Sequence, residues 1–137
     1  MKRAFLLLLI LCAPAVLRAQ GADAEVARYQ AMLQNGQADQ VRGAIPALLA
    51  RYPNNPGVLF LQAQTTSDGA EAVRIYQSIV DNFPSSQWAP EALFKVYQFY
   101  YALGLYRTAE MKMAQLKKSY PTSPRATGGS EVETPLR

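Results

Sequence analysis

Histidine is absent from the 137 residues, and cysteine occurs once, at Cys12. The first absence removes the side chain that most often moves protons near neutral pH. Cys12 lies in an apolar N-terminal run that reads as a removable signal, so its loss leaves no thiolate nucleophile, disulfide or soft metal ligand. The acids Asp81 and Glu91 stand singly near turns, where an acid usually caps a helix or faces solvent. A phosphate-cradling glycine loop is missing too. Gly128-Gly129 falls in a polar C-terminal tail, not between a strand and a helix. These gaps point away from an enzyme and imply no metal and no cofactor.

Long hydrophobic runs are also missing. Ala4 to Leu17 is an apolar stretch of fourteen behind Met1-Lys2-Arg3, short of the roughly 20 residues that span a bilayer. It reads as a secretory signal peptide, residues 1–19, cleaved after Ala19 or, taking Ala13-Pro14-Ala15 as the small-x-small site, after Ala15. Leu9-Ile10-Leu11 before Cys12 are too large for a lipoprotein site. Excess charge of one sign is lacking as well. The formal net charge is +4, but without Lys2, Arg3 and Arg18 eleven bases face ten acids. That balance argues against nucleic acid as a partner. What remains has the length of one domain: a lead-in at 20–23, a helical region at 24–121 and a flexible tail at 122–137.

The chain does contain an internal repeat. Gly36, Ser67 and Gly104 are each followed sixteen positions later by an aromatic-proline pair, Tyr52-Pro53, Phe83-Pro84 and Tyr120-Pro121. Five positions after the turn residue come Val41, Ala72 and Ala109; nine after, Ile45, Tyr76 and Met113; twelve after, Leu48, Ile79 and Leu116. Steps of four, three and four make one helical stripe. Tyr29, Phe60 and Tyr97 stand seven residues before the turns. The pattern predicts helix, turn, helix and stop, three times over.

The spacing predicts helices over Ala24 to Gln34, Asp39 to Arg51, Val58 to Gln64, Asp68 to Asn82, Gln87 to Leu103 and Leu105 to Ser119. Asp39 and Asp68 suit N-caps. Pro46 predicts either a kink in the second helix or a late start. Six extra residues between Phe83 and Tyr97, including Trp88 and Pro90, lengthen the fifth helix. Trp88 either staples this connection onto the fourth or fifth helix or stands exposed as a partner anchor.

Leu93, Val96, Tyr100, Gly104, Tyr106, Ala109, Met113 and Pro121 fall at spacings that resemble the tetratricopeptide repeat (TPR) superfamily. The stretch from Phe83 to Leu93, with Tyr120-Pro121-Thr122-Ser123-Pro124, is similar to the bacterial-envelope TPR subgroup of the BamD and CpoB type. The resemblance covers Ala24 to Pro124 and grows stronger from the first unit to the third. It implies an all-α fold, with three TPR-like helix-turn-helix repeats in a short right-handed α-solenoid. It also implies a periplasmic protein-protein interaction scaffold holding a partner segment in a helix-lined groove, in envelope or outer-membrane assembly.

The fifth helix is apolar on most sides, which suits a helix sandwiched in a core. On the TPR resemblance, its Phe94, Lys95, Gln98 and Tyr101 would face the groove, with Gln30, Gln34 and Gln64 lining the same surface. Aromatic side chains there would offer contact area with a polar tip. The alternative is a structural homo-oligomer, self-associating through the apolar edge of the last repeat, for which no polar capping helix is evident.

Overall fold

The protein is described by a computed structural model covering residues 13–128; residues 1–12 of the expected signal and 129–137 of the expected tail lie outside it. Among the described residues there are seven helices and no strand: α1 (Ala13–Gln34), α2 (Ala38–Arg51), α3 (Pro56–Thr65), α4 (Gly69–Asn82), α5 (Trp88–Ala102), α6 (Tyr106–Ser119) and α7 (Pro124–Thr127). Consecutive helices pack on one another, and each of α3, α5 and α7 also touches the helix two before it. No described helix is long and apolar enough to cross a membrane.

The helix ends follow local chemistry. Gly36 and Gly104 take φ of +77° and +75°, the left-handed conformation that glycine adopts without strain. Each closes its helix by a pair of bonds: Gly36 N–H to the Leu33 carbonyl and Gln37 N–H to Met32, then Gly104 N–H to Tyr101 and Leu105 N–H to Tyr100. The middle turn instead uses Asp68, whose carboxylate accepts from the Ala70 and Glu71 amides at 2.8 and 3.2 Å. All three aromatic stops share one backbone geometry. Tyr52, Phe83 and Tyr120 have φ, ψ of −127°, 67°, −131°, 52° and −134°, 58°. Each donates its N–H to the carbonyl four residues back, and the following proline disfavours further helix.

The repeated apolar positions form the interior. Leu48, Ile79 and Leu116 are almost wholly buried, and Phe60 and Tyr97 join them. One cluster unites α3, α4, α5 and α6, and another unites α1, α2 and α3. Trp88 packs on both. It is a staple, but onto α3: its ring lies 4.9 Å from that of Phe60.

Four expectations need adjustment. Helix α1 already runs at Ala13, where the described residues begin, eleven residues before Ala24; the alanine-rich stretch favours helix and Ala22 is buried. Helix α2 begins on time at Ala38 and runs without a break past Pro46. Asp39 is not its N-cap; it sits in the first turn and pairs with Arg42 at 2.7 Å. The start of the expected tail is helical: α7 docks on α5 and α6, with Arg125 making two bonds to Glu91, at 2.9 and 3.0 Å.

Candidate functional site

A groove of about 670 Å³ opens between α5 and α6, lined by Tyr97 and Tyr101 of α5 and Tyr106, Glu110, Met113, Ala114 and Lys117 of α6. Tyr97 and Tyr101 are one helical turn apart, as are Tyr106 and Glu110, so each helix turns one stripe inward. The rings form a continuous run. Phe94 and Tyr97 have centroids 5.6 Å apart, Tyr97 and Tyr101 5.8 Å, and Tyr101 meets Tyr106 edge-on at 5.0 Å. Burial raises the Tyr97 phenol above its ordinary pKa, and Tyr101 beside it adds to the shift.

The run passes from covered to open along its length. Phe94 is only 6 % exposed, with the Arg125 guanidinium 4.7 Å above its ring. Tyr101 and Tyr106 at the other end are 39 % and 55 % exposed. Leu103, Leu105 and Met111 are exposed as well, so every large hydrophobic residue exposed among those described falls within residues 101–111.

The expected groove residues separate into two groups. Tyr101 lines the groove, Gln98 is exposed and Lys95 is half-buried on the same helix. Phe94 lies in the core under α7 and offers no free face, because Arg125 caps it. Gln30 donates to the side-chain oxygen of Gln64 at 2.6 Å, tying α1 to α3, while Gln34 is exposed one turn further along α1. No hydrogen bond among the described residues links these glutamines to the aromatic run.

Sequence reasoning missed Tyr106, Glu110, Met113 and Lys117 as site residues. Their signal lies in the repeat register. Glu110 and Lys117 stand six and thirteen positions after Gly104, where Val73 and Val80 stand relative to Ser67. Both valines are buried in the cluster that α4 shares with α5. Two charges in place of two buried valines mark a face that meets water.

The groove combines aromatic area with one cation and one anion, a surface suited to binding. Among the described residues no group of three potential ligands could hold a metal ion. No family model matches the chain, and a search of curated proteins finds no match.

Proposed function

We propose that the chain is a non-catalytic interaction module, a short right-handed α-solenoid of three TPR-like repeats that binds a protein segment in the α5–α6 groove. The observation that carries this reading is the exposure of Tyr101, Leu103, Leu105, Tyr106 and Met111 on one end of a well-packed array. Tyr101 and Tyr106 line the groove itself and touch each other, and exposed apolar surface of this kind marks interaction sites. The reading of residues 1–19 as a signal peptide places its work in a periplasm, in envelope or outer-membrane assembly.

The test is a crosslinking pull-down from native envelope with residues 20–137 and a Tyr101→Ala/Tyr106→Ala variant. Both tyrosines are exposed, so the variant keeps the core. A partner captured by the parent and lost with the variant supports the reading; equal capture moves the interaction to another surface. The same patch also favours self-assembly, and a mass that rises with concentration, lost in the variant, would put that reading first.

A further inference from the structure

We propose that the α5–α6 groove seats an amphipathic α-helix from another protein, lying where a fourth long helix would continue the stack. Its acidic first turn would meet Lys117 and its basic last turn would meet Glu110. This rests on the interaction-module reading and specifies the partner's form.

The precedent is internal. Helix α3 lies on α1 and α2, and α5 lies on α3 and α4. Helix α7 stands in the same relation to α5 and α6. Its entry is built as for a full helix: Ser123 accepts from the Arg125 amide and Pro124 takes the first turn, as Asn55 and Pro56 do for α3. Yet α7 has 4 residues where α5 has 15, and Gly128 closes it by donating to the Pro124 carbonyl. At ~1.5 Å per residue, about 11 residues or ~16 Å beside α5 stay uncovered by the described residues. That uncovered length holds exposed Tyr101 and Tyr106, whereas the α7-covered end holds buried Phe94.

The charges give the occupant a direction. A short turn makes α5 and α6 antiparallel, so Lys117 lies toward the α7 end and Glu110 toward the far end. A helix continuing the path of α7 starts near Lys117 and finishes near Glu110. Helices favour acids in their first turn and bases in their last, which is the complement of these two residues. Opposite charges at the two ends also fix orientation against the reverse docking. The valines at the same register are covered by part of their own chain; Glu110 and Lys117 instead suit a face that meets water, and so a partner that comes and goes.

The test uses the full chain and labelled peptides of 14 residues, the length of α2, α4 and α6, stapled because free helices this short are marginal. One carries a leucine stripe with Glu in the first turn and Lys in the last; a second exchanges the charges; a third, unstapled, has a central proline. In fluorescence anisotropy the first should bind, the second about five- to tenfold more weakly, and Glu110→Lys/Lys117→Glu should invert that preference. The proline peptide should lose at least about tenfold, and Tyr101→Ala/Tyr106→Ala should weaken both stapled peptides.

Equal binding of the proline peptide would overturn the helical occupant while leaving the groove reading to the pull-down. No binding, or a preference that fails to invert, would overturn the seat itself. Binding only after removal of residues 129–137 would assign the groove to the chain's own end. A dimer at micromolar concentration that excludes the peptides would assign it to a second copy.

Discussion

Two glycines in neighbouring helices respond oppositely to the same methyl group. A Cβ on Gly57 would come 2.9 Å from Nε1 of Trp88 and 3.1 Å from Val26, so Gly57→Ala should cost about 1–3 kcal/mol. A Cβ on Gly43, inside α2, meets nothing within 4 Å, and Gly43→Ala should stabilise by about 1 kcal/mol. Urea denaturation of the pair checks both signs. Tyr76 makes alkali destabilising. Burial first, and then the charge of Glu91, raise its phenol from 10.0 to about 12. The unfolded chain therefore releases this proton before the folded chain does, and stability falls as pH rises from about 10 towards 12. The loss from this group reaches up to about 3 kcal/mol. Tyr97 and Tyr120, also raised by burial, act in the same direction. Urea midpoints measured across this pH range should fall less steeply for Tyr76→Phe.

Among the elements, α7 is the one whose existence depends most on distant partners. Its four residues bury no side chain fully; Arg125 holds them through Glu91 and the face of Phe94. Both partners of the ion pair are substantially exposed, so Arg125→Ala should cost only about 0.5–1 kcal/mol. Amide exchange should nevertheless speed up at Ala126 and Thr127 in that variant and stay unchanged in α6. This dependence explains why the tail looked unstructured in the sequence: the stabilising contacts lie more than thirty residues away along the chain. It also explains Phe94, which was readable as an aromatic stripe member but not as covered. The turns and stops were legible because glycine, aspartate and aromatic-proline pairs act locally. The part of α1 before Ala24 was not, since Ala13 to Ala19 reads as the end of an apolar signal and Gln20 to Asp23 as a lead-in.

At the scale of the molecule, one repeated pattern yields a packed interior and an open groove at one end. The offsets that bury Leu48, Ile79 and Leu116 were visible in the sequence. The groove was not, because Glu110 and Lys117 stand out only against Val73 and Val80, whose burial the fold shows. The central claim is that binding occurs on this end. Site-specific photocrosslinking in native envelope tests it most directly, with the reactive group at Tyr106 or, as a control, at Ala47, exposed on α2. The account predicts a discrete adduct from position 106 and none from position 47. An adduct from position 47 alone, or equal adducts from both, would contradict it.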